Sequence, residues 1–166
     1  MKFTKNTLLK DILKLPCFRQ MSGQFIASST GDWFHGRDSL SLAGLQQQNP
    51  TWYWEDVAYG LTRLREIALG GGRYVYPVGE GACLIHLPAK NRRYEDYAIL
   101  NAGGAYGAVC TMVEALPTAA KLNELGMDCF CLNYHTATRD SFVDGLMPKP
   151  LEDLALAWRY IKSNEA

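Results

Sequence analysis

Three consecutive glycines, Gly70-Gly71-Gly72, split this chain into two stretches with different hydrophobic periods. Each glycine inside a helix or strand costs about 0.5–1 kcal/mol relative to alanine, so neither kind of element runs through all three. Upstream, Val57, Leu61, Leu64 and Ala68 recur at i, i+4, i+7 and i+11. That spacing draws one helical stripe and predicts a helix over 54–69. Glu55 and Asp56 suit its positive N-terminal end, Arg63 and Arg65 lie nearer the other end, and Gly70 supplies the stop. Earlier, Asn6 or Thr7 is expected to cap a short helix carrying Leu8, Leu9, Ile12, Leu13 and Leu15, ended by Pro16. Residues 23–48 have only weak periodicity and read as loop with short helical pieces.

Downstream the period shortens. Arg73 to Val78 and Cys83 to Leu87 are β-type runs separated by Gly79-Glu80-Gly81, which predicts a hairpin. Asp96 to Asn101 reads as a third strand running into Gly103-Gly104. Pro117 suits the first turn of a helix that carries Ala119, Ala120, Leu122 and Leu125 and stops at Gly126. Met127 to Tyr134 reads as a fourth strand. Pro148 and Pro150 precede a last helix with Leu151, Leu154, Trp158 and Ile161 as its apolar stripe. The order β-β-β-α-β-α implies an α/β fold, a hairpin leading into parallel βαβ units. The expected division is a helical N-terminal extension over 1–69 and a sheet domain over 73–166.

Composition removes several function classes. Among 166 residues, 17 basic and 17 acidic side chains cancel, which leaves no electrostatic footprint for DNA or RNA. No apolar run reaches the roughly 18 residues of a membrane span. The opening Met1-Lys2-Phe3-Thr4-Lys5 resembles the basic start of a signal peptide, but Lys10, Asp11 and Lys14 interrupt any apolar core. Cys17, Cys83, Cys110, Cys129 and Cys131 are odd in number and scattered, which points to free thiols and a cytoplasmic location.

The stretch most informative about chemistry is Ile99-Leu-Asn-Ala-Gly-Gly-Ala-Tyr-Gly107, a strand emptying into a glycine-rich turn ahead of a helix. Glycines there let the backbone turn sharply and present N–H groups to a bound oxygen. A dinucleotide cradle, a phosphate loop and an oxyanion hole all use this device. Gly103, Gly104 and Gly107 do not fit G-x-G-x-x-G, and no Gly-Lys-Ser/Thr follows. The oxyanion reading remains beside a plain βα turn with no ligand, and spacing alone leaves both open.

The wider pattern resembles a known family. Ala102-Gly-Gly-Ala-Tyr106 is followed by Leu122-Asn-Glu-Leu-Gly-Met127, then Leu132-Asn-Tyr-His135, then Pro150-Leu-Glu-Asp-Leu-Ala-Leu-Ala-Trp-Arg-Tyr-Ile161. In this order the motifs resemble the α/β-hydrolases, particularly their small esterase and acetyl-xylan-esterase-like branch, over 98–166. The third loop glycine of that branch is Ala105 here, and His135 stands where arginine is usual. The resemblance implies oxyanion donors in the backbone N–H groups of Gly104 and Ala105, with Gly103 and Tyr106 at the acyl pocket. On that reading a proline at Ala105 would delete one donor and depress turnover. It also implies that the strand at Met127–Tyr134 lies between the Cys83 hairpin strand and Asp96–Asn101.

The family's G-x-S-x-G nucleophile motif is absent from the 166 residues. The expectation is the N-terminal portion of a serine esterase-type hydrolase, with its triad in sequence beyond this chain. The alternative is a truncated, non-catalytic binding or assembly module. No metal or organic cofactor is implied. A small ester is the expected substrate once the missing half is supplied. The 96–101 strand edge is expected to pair with a second copy or a partner chain; neither nucleic acid nor membrane is an expected partner.

Other candidates read as structural. His86 in a strand and His135 at a strand end are expected to be hydrogen-bonded framework residues. His35, with Asp32 and Asp38 on either side, has no paired nucleophile. Cys129 and Cys131 share one strand face without a second Cys/His pair at metal spacing. Trp52-Tyr53-Trp54 reads as a helix-entry core cluster rather than a ligand wall.

Overall fold

The computed structural model describes residues 2–19, 39–137 and 146–164. His35, Asp32 and Asp38 therefore lie outside the described residues, as does much of the predicted loop over 23–48. The elements are α1 (Leu9–Leu13), α2 (Pro16–Arg19), α3 (Leu42–Gln48), α4 (Trp54–Leu69), β1 (Val75–Pro77), β2 (Cys83–Leu87), β3 (Tyr97–Asn101), a π-helical turn (Thr111–Ala115), α5 (Leu116–Leu125), β4 (Asp128–Asn133) and α6 (Lys149–Asn164). This is a mixed α/β fold with a helical N-terminal region. None of the helices among the described residues is long and apolar enough to cross a membrane.

The four strands are ordered β1-β2-β4-β3. β1 and β2 form the hairpin, β2 pairs antiparallel with β4, and β4 pairs parallel with β3. The fourth strand in sequence thus inserts between β2 and β3, and β3–α5–β4 is the parallel βαβ unit. β1 and β3 are the sheet edges. β1 is short and ends on Pro77, which cannot donate to a ladder, so that edge is blunt. β3 offers Tyr97-Ala98-Ile99-Leu100 with no proline or charge in the run.

Strand alternation sorts side chains onto two faces. Ile85, Leu87, Cys129, Cys131, Ala98 and Leu100 join the larger core with α1–α5, whereas Leu84, Leu132, Tyr97, Ile99 and Phe130 meet α6. The N-terminal helices and the sheet therefore share one core. Val57, Leu61 and Leu64 of α4 are buried as the period requires, and Ala68 packs at the margin. Each fully buried leucine is worth about 1.5–3 kcal/mol over its exposed state. At Gly60 a Cβ would stand 3.0 Å from the Leu116 carbonyl carbon and the Pro117 nitrogen. Glycine there sets how closely α4 and α5 approach.

A polar node ties these helices to the sheet. Buried Arg63 donates from Nε to Asn123 Oδ1 (3.3 Å) and from Nη2 to the Pro88 carbonyl (2.5 Å). Asn123 Nδ2 in turn donates to the carbonyls of Leu87 (2.9 Å) and Met127 (2.8 Å).

Three local expectations are corrected. Neither Asn6 nor Thr7 caps α1: its N-cap is Leu8, which makes an isolated bridge with Ser41, while Thr7 Oγ1 accepts from the Thr4 N–H. Pro16 opens α2 rather than merely ending α1. The buried face of α6 is Pro150, Asp153, Ala157 and Ile161, with Leu151 57% and Trp158 52% exposed. Leu154 and Ile161 of the predicted stripe do pack on the core, but Leu151 and Trp158 do not, because the buried face is rotated to turn a carboxylate, Asp153, inward.

Candidate functional site

Tyr134 directly follows β4 and donates its hydroxyl to the Ala102 carbonyl at 2.6 Å, holding the point where β3 leaves the sheet. Burial, aided by the charges of Tyr106, Cys110 and Glu114, raises the Tyr134 pKa, so the phenol stays protonated and keeps donating. The chain then passes through successive residues with positive φ: Gly104 at 135°, Ala105 at 51° and Tyr106 at 59°. Only glycine tolerates the first. Ala105 and Tyr106 in the left-handed region cost about 1–2 kcal/mol each. Backbone strain of this kind is held only where surrounding structure fixes it.

That structure is identifiable. The Gly103 carbonyl accepts from the Cys110 N–H (2.9 Å), and the Gly104 carbonyl accepts from the N–H groups of Gly107 (3.0 Å) and Ala108 (3.1 Å). The Tyr106 carbonyl accepts from the Ala137 N–H (2.7 Å), and the rings of Tyr106 and Tyr134 meet edge-on at 6.1 Å. The Gly103 N–H donates to Glu114 Oε2 at 2.7 Å, while Glu114 Oε1 accepts from Trp52 Nε1 at 3.2 Å. Glu114 sits on the π-helical turn, so one carboxylate joins the loop to the α4 entry. Among the described residues, the N–H groups of Gly104, Ala105 and Tyr106 have no acceptor.

Gly103, Gly104, Ala105 and Tyr106 all line one cleft of about 310 Å³, walled by Tyr134 and by Pro150, Leu151 and Leu154 of α6. The α6 wall is positioned by His135. Its backbone N–H donates to Asp153 Oδ2 (2.7 Å), and its Nδ1 lies 2.8 Å from the same oxygen, with Asp153 buried. His135 is thus hydrogen-bonded framework. An opening with unclaimed, adjacent backbone donors can hold a carbonyl oxygen or an oxyanion.

Sequence reasoning named the loop and read Trp52 as core, but missed Glu114 and the bond that ties it to Trp52, contacts that span 11 and 62 positions and leave no local signal. Trp52 is a buried core residue, whereas Tyr53 is exposed. The strand thiols Cys129 and Cys131 are buried, and burial pushes Cys129 up to about 12. Such thiols are inert as nucleophiles or metal ligands. Among the described residues, no cluster of His, Cys, Asp and Glu has the makings of a metal site.

His86 departs from expectation. Its ring stacks on Phe130 (centroids 4.3 Å apart, planes 6° apart), but its buried Nε2 has no hydrogen-bond partner. Burial lowers its pKa; Arg92 adds to the shift and Asp128 opposes it. The unfolded chain therefore binds a proton that the folded chain refuses, from the usual histidine value near 6.5 downward. Stability should fall as pH drops through that window. Urea melts at pH 7.5 and 5.5 should show a larger loss for the wild type than for His86→Phe. Equal losses would contradict this assignment.

No family model matches the chain, and no curated protein does. Among solved structures, the chain is similar to a crystal structure of a double mutant of the esterase E40, with a TM-score of 0.43 and 18% sequence identity. The match covers 72% of this chain and 42% of that one, so this chain spans less than half the length of the structure it resembles. A likeness of that size carries no argument about activity.

Proposed function

We propose that this chain is the N-terminal, oxyanion-binding portion of a serine esterase-type hydrolase acting on carboxylic esters. The observation that carries the reading is that Gly104 and Ala105, whose N–H groups have no acceptor among the described residues, line a cleft at the C-terminal end of β3. When a nucleophile attacks an ester carbonyl, the carbon becomes tetrahedral and negative charge moves onto its oxygen. Donors already fixed in place stabilise that charge without reorganising, and removing one typically costs about 2.7–4 kcal/mol of transition-state stabilisation. Gly103 and Tyr106 line the acyl side. The nucleophile, acid and general base come from sequence outside these 166 residues. The unpaired β3 edge is where we propose that another strand joins, from the remainder of the enzyme or from a second copy.

A second reading, a non-catalytic binding or assembly module, is favoured by the lack of any G-x-S-x-G in the sequence. The 166-residue chain alone is expected to hydrolyse p-nitrophenyl acetate no faster than a matched blank. Turnover abolished by a serine-directed phosphonate would overturn the division of labour. Reading the nucleotide sequence beyond codon 166 separates the two functions. G-x-S-x-G followed by Asp and His, in frame or in an adjoining frame, supports the enzyme; their absence supports the module.

A further inference from the structure

On the opposite face of the sheet from the main core, Tyr76 of β1, Phe130 of β4 and Tyr97 of β3 line a cleft of about 460 Å³, within the range of small-molecule sites. Phe130 and Tyr97 meet edge to face at 5.8 Å. α6 roofs the other side through Tyr160, 5.6 Å from Tyr76. Walls of this kind take a flat ring in offset or edge-on contact.

One donor in the cleft is held in place and only partly used. Arg92, which lines the cleft, donates from Nε to the Tyr94 carbonyl (3.0 Å) and from Nη2 to the Glu95 carbonyl (2.8 Å). Those two bonds fix the Nε–Nη2 side of the guanidinium on the backbone. Its Nη1–Nη2 end has no acceptor among the described residues. That end is a planar fork of two parallel donors, the shape that matches a carboxylate.

The charge around the cleft points the same way. Asp128, the carboxylate that lines it, is engaged elsewhere: Oδ1 accepts from the Ala89 N–H at 2.8 Å, and Oδ2 lies 3.8 Å from Arg92 Nε, on the occupied side. Arg73 lies over the Tyr76 ring at 5.1 Å and Lys162 over the Tyr97 ring at 5.4 Å. Arg73 and Arg92 alone outweigh Asp128, and Lys162 adds to the excess. A cationic ligand would raise that positive charge, a neutral one would leave it unanswered, and an anion offsets it.

We infer that this cleft is a binding site for an aromatic carboxylate, with its carboxylate on the Nη1–Nη2 end of Arg92 and its ring among Tyr76, Phe130, Tyr97 and Tyr160. The site stands apart from the loop at 103–106 and does not rest on the esterase reading. Three probes separate charge from ring: 2-naphthoate, its uncharged counterpart 2-naphthalenemethanol, and cyclohexanecarboxylate, which keeps the charge without the flat ring. Each is titrated into the isotope-labelled full chain and followed by NMR. With 2-naphthoate the expected result is saturable ring-current shifts at the four aromatic residues. It should bind about tenfold more tightly than the alcohol and about threefold more tightly than cyclohexanecarboxylate. The Arg92 side chain is 52% exposed, so its replacement leaves the core intact. Arg92→Gln should remove most of the preference for naphthoate over the alcohol, and Arg92→Lys, a point charge without the fork, should restore only part of it. Naphthoate shifts that do not saturate, or that avoid the four rings, would overturn the proposal. So would equal affinity for naphthoate and either other probe in the wild type, a comparison that needs no variant, or an undiminished preference in Arg92→Gln.

Discussion

Replacing Gly104 by alanine should destabilise the chain by about 3 kcal/mol and displace the loop at 103–106. Two causes act together. The φ of 135° is one that an L side chain rarely adopts, and a Cβ there would lie 2.2 Å from the Ala108 carbonyl oxygen. That oxygen belongs to backbone, so it cannot swing aside as a flexible side chain would. The neighbouring position should respond in the opposite sense. Ala105 sits at φ 51°, where alanine is strained and glycine is not. Ala105→Gly should recover about 0.5–1 kcal/mol, the strain relieved less the extra unfolded-state freedom of glycine. Urea denaturation of both variants checks the pair. A Gly104→Ala variant as stable as the wild type, or a destabilised Ala105→Gly, would contradict the loop geometry.

The second large effect concerns association. β3 is a sheet edge whose Tyr97, Ala98, Ile99 and Leu100 are only half buried, and its outward N–H and C=O groups face no strand among the described residues. Leu151 and Trp158 add exposed apolar area on α6. An edge with no charge or proline to deter pairing recruits another strand. The purified chain should therefore sediment at micromolar concentration as a species heavier than 18.6 kDa. Asn101→Lys, which puts a charge at the exposed end of the edge strand, should shift it toward monomer. A monodisperse monomer with a cooperative melt would remove the case for an open edge.

Much of this architecture was legible in the residues because period reports burial directly. The stripe of Val57, Leu61 and Leu64 located α4 at Trp54–Leu69, and the runs around Gly79-Glu80-Gly81 located the hairpin. The order of β2, β4 and β3 followed from the motif resemblance rather than from periodicity. What escaped depends on contacts remote in sequence. Leu8 bridges Ser41, so α1 begins from a pairing with a distant segment instead of a side-chain cap. Asp153 is buried because it binds His135, and α6 turns accordingly; a pattern that counts only apolar residues cannot register that.

The site was half legible. Its glycines announced a turn, but its support by Glu114 and Trp52 left no mark in the local sequence. The geometry also revises one test. A proline at Ala105 cannot adopt φ 51°, since its ring fixes φ near −65°. It would break the loop rather than remove a single donor.

On the function proposed above, the Gly104 and Ala105 N–H groups bind an oxyanion. The most direct measurement is an amide NMR titration of the chain with dimethylphosphinate, a tetrahedral monoanion that mimics the intermediate formed from an ester. The claim predicts saturable downfield shifts of the Gly104 and Ala105 amide protons, while the Gly103 amide, already bonded to Glu114, moves little. Amides of Gly104 and Ala105 that stay in place up to saturating anion would contradict it.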